Sequence, residues 1–139
     1  MSTLVDTSIW SLALRRKSHH LSSAEQVLVA ELAELVKAGR ARLLGVVRQE
    51  LLSGIKTAEH YERLRTTLRS FPDEVVETTD HELAAKSRNE CRSKGIAVSM
   101  VDALICAVSL SRDCSIFTSD PDFKTYASVL KIKLHTLRS

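Results

Sequence analysis

Short apolar runs alternate along the chain with longer segments whose apolar residues recur every three or four positions. Runs of this length, bounded by polar residues or glycine, predict buried strands. The first run is Thr3-Leu4-Val5, and it ends at Asp6. The predicted strands cover residues 3–5, 41–44, 75–77, 115–118 and 130–137.

The segments between these strands carry the periodicity and the end signals of helices. In one of them Leu28, Leu32 and Leu35 follow the i, i+4, i+7 spacing of an apolar face. The helices are predicted directly after Asp6, over residues 22–38, 46–52, 58–70 and 80–94, and from Ser99 and Pro121. Ser22 or Ser23, Asp80 and Ser99 are the predicted N-caps, Gly39 and Gly95 the helix terminators, and Pro121 the first residue of the last helix.

Strands and helices that alternate in this way predict an α/β fold with a mostly parallel sheet and helices on both faces. The chain of 139 residues is of the usual length for one domain, so we expect a single domain over residues 1–139. In parallel sheets of this kind, ligands bind beyond the carboxyl ends of the strands. Acidic residues at strand ends are therefore the first candidates for a functional site.

Composition and charge narrow the class of protein. Hydrophobic residues make up 44% of the chain, which is enough for a substantial core, and the net charge of +3 favours an anionic partner without establishing one. The three cysteines form no CxxC pair, which excludes a thiolate zinc site of the usual spacing. The N-terminus lacks a secretory signal and no run is long enough to span a membrane, so we expect a soluble, cytoplasmic protein.

Four acidic residues differ from the others, which lie among basic residues on predicted helix surfaces. Asp6 and Asp120 follow predicted strands, whereas Glu50 and Asp102 lie in otherwise apolar helical segments, where an acid is costly to bury without a partner. Each position alone also has a structural explanation, since aspartate commonly caps a helix or binds the backbone of the next turn. The predicted parallel sheet brings these four acids together, and their number favours a functional site over four separate structural roles.

Carboxylates gathered at one place need a compensating charge. Two unit charges about 4 Å apart repel by about 4 kcal/mol at an effective dielectric constant of about 20. No set of lysines or arginines is interleaved with these four acids, and hard divalent cations prefer oxygen ligands. The sequence therefore predicts a Mg²⁺ or Mn²⁺ site, and such ions support phosphodiester cleavage by water.

The arrangement resembles that of PIN-domain proteins, and in particular VapC-type toxins of prokaryotic toxin-antitoxin modules. The resemblance rests on the order and spacing of four segments over the whole chain. They are Leu4-Val5-Asp6-Thr7-Ser8, Glu50 in the helix after the second strand, Asp102-Ala-Leu-Ile-Cys-Ala, and Thr118-Ser-Asp120-Pro-Asp122-Phe123. It implies a three-layer α/β/α PIN-like fold with a central, mostly parallel five-stranded sheet.

The resemblance also implies a function and a set of residues. It implies a Mg²⁺- or Mn²⁺-dependent endoribonuclease that cleaves structured RNA such as tRNA or rRNA, forms a homodimer and is blocked by a VapB-type antitoxin. Asp6, Glu50, Asp102 and Asp120 correspond to the acidic quartet, with Asp6 and Asp102 as direct metal ligands and Glu50 and Asp120 binding the metal directly or through water. The supporting candidates are Thr7, Ser8, Thr118, Ser119 and Asp122, for each of which helix capping or a dipole interaction is the structural alternative.

A local basic cluster, Arg15-Arg16-Lys17, follows the first helix and is the candidate RNA-binding segment. Its alternative role is to keep the surface soluble. Two other functions remain to be separated from the nuclease: a PIN-like module that binds RNA or protein without cleavage, and a signalling receiver domain. The receiver domain is disfavoured because it needs a second acid beside Asp6, and none is present.

Overall fold

Three short parallel strands form the centre of the fold in a computed structural model, which describes residues 1–137. Strand β1 spans Thr3–Val5, β2 spans Ala41–Arg42 and β3 spans Ser115–Phe117. Their order in the sheet is β2-β1-β3, so β1 has a neighbour on each side. The parallel sheet confirms the predicted α/β fold class, and positions 138 and 139 of the predicted domain lie outside the described residues.

Within residues 1–137, the prediction of five strands is corrected to three strands and two isolated parallel bridges, Leu43 with Asp73 and Ile116 with Leu134. Residues 75–77 form no strand because side chains use their backbone groups. Arg112 binds the Val75 carbonyl, and Asp80 accepts a hydrogen bond from the Glu77 amide.

The last predicted strand, over residues 130–137, is reduced to a single bridge for a different reason. Ile116 donates to the Lys133 carbonyl at 2.9 Å and accepts from the His135 amide at 2.8 Å. Successive residues of a strand form their backbone hydrogen bonds with the neighbour on one side and then with the neighbour on the other, and β3 is only three residues long. Only its central residue is therefore available to this outer segment.

Seven α-helices and one 3₁₀ turn, Ser18–His20, accompany the sheet in the described part of the chain. The helices are α1 Thr7–Leu14, α2 Ser23–Lys37, α3 Gly45–Leu52, α4 Ala58–Leu68, α5 Thr78–Ser93, α6 Met100–Arg112 and α7 Asp122–Ala127. Ser22 and Ser99 are N-caps, as predicted, and Gly39 follows α2 with a φ of +69°. None of these helices, within residues 1–137, is both long and apolar enough to cross a membrane.

Two predicted helix starts are wrong. Asp80 is not the N-cap of α5, because Glu77 holds that position and the Asp80 carboxylate is bound to Arg112 at 2.8 and 3.0 Å. Pro121 is not the first residue of α7 but the residue before it, and α7 begins at Asp122.

The core is aliphatic and centres on α6, which packs against β1 and β3. Seven consecutive residues of α6, from Ala103 to Ser109, are buried. Trp10 of α1 is also buried, and its indole N–H donates to the Val5 carbonyl at 3.1 Å. This burial fixes α1 directly after β1 and so places Asp6 at the junction between them.

Candidate metal-binding active site

The site lies where β1 and β3 end side by side. Val5 pairs with Phe117, and the Asp6 amide donates to the Phe117 carbonyl at 2.9 Å. Asp6 and Thr118 are therefore the first residues beyond two neighbouring parallel strands. The chain leaves β1 towards β2 on one side and returns to β3 on the other, which makes this edge the expected ligand crevice of the sheet.

Asp6 is buried, with 6% of the residue exposed, and its carboxylate is held at one oxygen. Its Oδ2 accepts from the hydroxyls of Ser8 and Thr118, each at 2.8 Å, and from the Ser8 amide at 3.4 Å. No hydrogen bond in residues 1–137 reaches Oδ1, yet no fully buried side-chain oxygen there lacks a partner. Oδ1 is therefore open to solvent and free to bind a ligand.

The hydroxyls of Ser8 and Thr118 also position the loop after β3. The Ser8 hydroxyl accepts from the Ser119 amide at 3.1 Å, and the Thr118 hydroxyl accepts from the Asp120 amide at 3.0 Å. Asp120 in turn accepts from the Asp122 amide at 2.9 Å. Ser8 and Thr118 thus fix both the Asp6 carboxylate and the backbone of the loop that carries Asp120. Ser119 and Asp122 join this hydrogen-bond network only through their backbone amides.

Glu50 reaches the same crevice from α3. Its Oε1 accepts from the Thr7 hydroxyl at 2.6 Å, and Thr7 is the residue directly after Asp6. The Glu50 side chain is exposed, so this bond sets its direction without removing it from water. Thr7 is therefore a link between α3 and the start of α1.

Asp102 enters the site from the first turn of α6, where its amide donates to the Ser99 hydroxyl at 3.0 Å. The side chain is half-buried. Burial raises the pKa of its carboxyl group, and the charges of Asp6, Asp120 and Glu50 raise that pKa further. The structure thus brings Asp6, Asp120 and Glu50 close enough to Asp102 to act on it electrostatically.

Tyr126 is the site residue that sequence reasoning missed. This residue of α7 is buried, and its hydroxyl donates to Asp102 Oδ2 at 2.7 Å. Burial and the bond to the Asp102 carboxylate raise the pKa of the phenol far above its usual range, so the hydroxyl keeps its proton and remains a donor. The available signal was a tyrosine three residues after a phenylalanine in a short helix beside an acidic loop, because a buried tyrosine hydroxyl needs a partner.

Cys106 lies near the acids but is not a nucleophile. It is fully buried, and burial together with the nearby Asp102 charge raises the pKa of its thiol to about 12. A thiol with such a pKa is protonated at neutral pH, and the thiol form is a weak nucleophile. The reactive oxygen groups of the crevice are therefore its carboxylates and hydroxyls.

The predicted RNA-binding cluster lies apart from the acids, at the far end of α1. Eight helical residues separate Asp6 from Arg15, a rise of about 12 Å. Arg16 pairs with Glu25 at 2.9 Å and donates to the His20 carbonyl, so it joins α1 to the start of α2. Arg15 and Lys17 are exposed and stay predicted RNA contacts.

The donor set fits a hard divalent cation in its chemistry. All four acids offer oxygen, none forms an ion pair with lysine or arginine within residues 1–137, and Asp6 Oδ1 is open. Within residues 1–137, no three side chains of His, Cys, Asp or Glu form a group that could hold a metal ion. The four acids thus lie in one crevice, but they do not surround a single metal position.

The sequence matches the family model of the PIN domain over residues 3–129. No protein of curated function is significantly similar in sequence.

Several solved structures share the fold. FitAcB from Neisseria gonorrhoeae is 18% identical, with a TM-score of 0.75 and 96% of both chains covered. VapBC-1 from nontypeable Haemophilus influenzae is 13% identical, with a TM-score of 0.73 and coverage of 99% of this chain and 98% of that one. VapBC-5 from Mycobacterium tuberculosis, a member of the VapBC family of toxin-antitoxin systems, is 16% identical, with a TM-score of 0.65 and 96% of both chains covered. Because the family model spans most of the chain, the protein belongs to the PIN-domain family.

Proposed function

We propose that this protein is a Mg²⁺- or Mn²⁺-dependent endoribonuclease, a VapC-type toxin that cleaves structured RNA such as tRNA or rRNA. One observation carries the proposal: four carboxylates without basic partners in residues 1–137 share the crevice beyond β1 and β3, and the charges of three of them raise the pKa of the fourth, Asp102. Membership of the PIN-domain family and the shared fold of VapBC proteins support it. PIN membership also removes the signalling receiver domain from consideration.

The acids would hold the cation in different ways. Asp6 and Asp102 would ligate it directly, and Glu50 and Asp120 would bind directly or through water. When bound, such a cation balances charge on the phosphodiester and lowers the pKa of attacking water. The four acids would otherwise repel a phosphate group, so the proposed reaction depends on that balance.

Neutral hydroxyl groups of the chain orient these carboxylates for metal binding. Ser8 and Thr118 fix Asp6 Oδ2 and leave Oδ1 open, while Thr7 directs Glu50 into the crevice. Tyr126 holds Asp102 Oδ2 in the same manner. No protein nucleophile is required, because water attacks phosphorus and the expected products carry a 5′-phosphate and a 3′-hydroxyl.

The proposed biological role follows from the resemblance. VapC-type toxins form homodimers and are blocked by a VapB-type antitoxin, so we expect this chain to do both. Light scattering on the purified protein tests the homodimer. Co-expression with the product of an adjoining gene tests the antitoxin, which is expected to abolish cleavage.

Cleavage is tested with the purified protein, tRNA and rRNA fragments, and Mg²⁺ or Mn²⁺. We expect discrete products that disappear with EDTA and in Asp6→Asn. Asp113→Asn is the matched control, because Asp113 is exposed, lies outside the site and has a φ of 51° that asparagine tolerates. It is expected to cleave like the wild type.

Cleavage that persists in both EDTA and Asp6→Asn would refute the metal-dependent nuclease. A wild-type protein that binds RNA or a protein partner but cleaves none of these RNAs would instead identify a non-catalytic PIN-like binding module.

A further inference from the structure

A second candidate binding site lies at the turn between α5 and α6. It is a cavity of about 280 Å³ that includes two arginines of α5 and the backbone leading to α6. The lining residues are Arg88, Arg92, Gly95, Ile96, Ala97 and Val98. None of them belongs to the acidic crevice described above.

The two arginines are arranged to bind an anion. They are four residues apart on α5 and so share one face of the helix. Arg88 is half-buried, and its Nε–H donates to the Val98 carbonyl at 2.8 Å, which fixes the guanidinium while leaving its other N–H groups available. In residues 1–137 neither arginine forms an ion pair, in contrast to Arg16, Arg48 and Arg112.

The cavity lies at the same end of the molecule as the acids. Helices α5 and α6 are consecutive, pack extensively on each other and are joined by residues 94–99, so they form a hairpin whose turn precedes α6. Asp102 is in the first turn of α6, only four residues after Val98. A polynucleotide bound at the acids could therefore extend into the arginine cavity.

We propose that the cavity binds a backbone phosphate of the RNA substrate, next to the one that is cleaved. This inference rests on the proposed function and adds a subsite to it. A guanidinium presents a planar fork of donors that matches a phosphate group. Because the acidic crevice repels a polyanion, the strand needs cationic contacts beside it, and the unpaired Arg88 and Arg92 supply them.

The test is binding of a 5′-labelled, mixed-sequence single-stranded RNA of about twenty nucleotides, measured by fluorescence anisotropy in EDTA so that metal-dependent cleavage is absent. The variants are Arg88→Gln, Arg92→Gln and the double substitution. Lys86→Gln is the matched control for the single variants, because it also removes one positive charge, from an exposed position of the same helix outside the cavity.

We expect the double variant to bind at least about tenfold more weakly than the wild type near 0.1 M salt, and each single variant to bind more weakly than Lys86→Gln. Because the two arginines share one phosphate, the slope of log affinity against log salt should decrease by about 0.7 in the double variant, the value for one lost phosphate contact on a single strand. Arg92→Gln alone leaves the Arg88–Val98 bond intact, so it should fold normally and show only part of that decrease.

Equal affinities and salt slopes for the double variant and Lys86→Gln would overturn the subsite, as would absence of binding by the wild type. The outcome is separable from that of the proposed function. If the wild type cleaves RNA with Mn²⁺ while the double variant and Lys86→Gln bind RNA equally, only the subsite is refuted. Arginine-dependent binding by a protein that cleaves no RNA refutes the nuclease and leaves a polynucleotide-phosphate site.

Discussion

Substituting Tyr126 by phenylalanine tests whether the phenol orients a metal ligand. The change removes only the hydroxyl that donates to Asp102 Oδ2 at 2.7 Å. The ring stays buried, and phenylalanine can keep the edge contact with Phe123, whose ring centroid lies 5.1 Å away. The variant therefore isolates one hydrogen bond from the packing of α7.

The magnitude follows from the burial of the two partners. A hydrogen bond to a charged group contributes about 1.5–3 kcal/mol, and the lower value applies because Asp102 is half-buried and water can replace part of the bond. A loss of about 1.5 kcal/mol lowers the melting temperature of a chain of this size by about 5 °C. Loss of a group that orients a ligand weakens metal binding by about 10–100-fold.

The assay is Mn²⁺ binding, followed by the electron paramagnetic resonance signal of the free ion, together with thermal unfolding in EDTA. Neither measurement requires cleavage. We expect at least about tenfold weaker Mn²⁺ binding in Tyr126→Phe. Because the phenol lowers the pKa of Asp102, its removal raises that pKa, so protons should compete more and the defect should be larger at pH 6 than at pH 8.

Tyr61→Phe is the matched control, since Tyr61 lies on α4, is 37% exposed and donates no hydrogen bond within residues 1–137. It should bind Mn²⁺ and unfold like the wild type. A Tyr126→Phe protein that is less stable but binds Mn²⁺ normally would show that the hydroxyl serves only packing. That result would refute the positioning role.

Two further substitutions test other contacts of the structure. Thr118→Val removes the donor to Asp6 Oδ2 and the acceptor of the Asp120 amide, so Mn²⁺ affinity in the same assay should fall about tenfold, and an unchanged affinity would contradict this. Asp80→Asn breaks the buried pair with Arg112 and should lower the free energy of unfolding in urea by about 3 kcal/mol at pH 7. Arg112 holds the pKa of Asp80 well below its usual range, so the stabilisation is complete above about pH 4 and is lost as the pH falls towards that lowered pKa. The difference in the free energy of unfolding between the wild type and Asp80→Asn should be smaller by about 1 kcal/mol at pH 3 than at pH 7. A difference that does not change with pH would contradict this explanation.

The positions of Asp6 and Asp120 could be predicted from the sequence because each follows an apolar run at the end of a strand. That relation needs only the alternation of elements and the rule for parallel sheets. The Tyr126 contact could not be predicted in this way. A buried tyrosine indicates that its hydroxyl has a partner, but the choice of Asp102 depends on how α7 lies relative to α6, which the local sequence does not determine.

The outer strands show a second limit of pattern reasoning. Residues 75–77 have the β-branched residues of a strand, but Arg112 binds the Val75 carbonyl from elsewhere in the fold, and Asp80 binds the Glu77 amide at the start of α5. Residues 130–137 meet a neighbour too short to offer more than one paired residue. In both cases a contact distant in sequence decided the outcome, so strand propensity alone gave the wrong length.

Asp80 and Asp102 show why acids with the same local signature take different roles. Each is the third residue of its helix, α5 or α6, and neither can be assigned a role from its helix position. Arg112 neutralises Asp80 and lowers its pKa, whereas burial and three other acids raise the pKa of Asp102.

The decisive difference is the charge of the partner. Asp102 is held by the neutral hydroxyl of Tyr126, as Glu50 is by Thr7 and Asp6 is by Ser8 and Thr118. A neutral donor fixes the direction of a carboxylate but leaves its negative charge uncompensated. Acids that are oriented in this way retain their attraction for a cation, and this property separates the candidate metal site from the structural ion pair at Asp80.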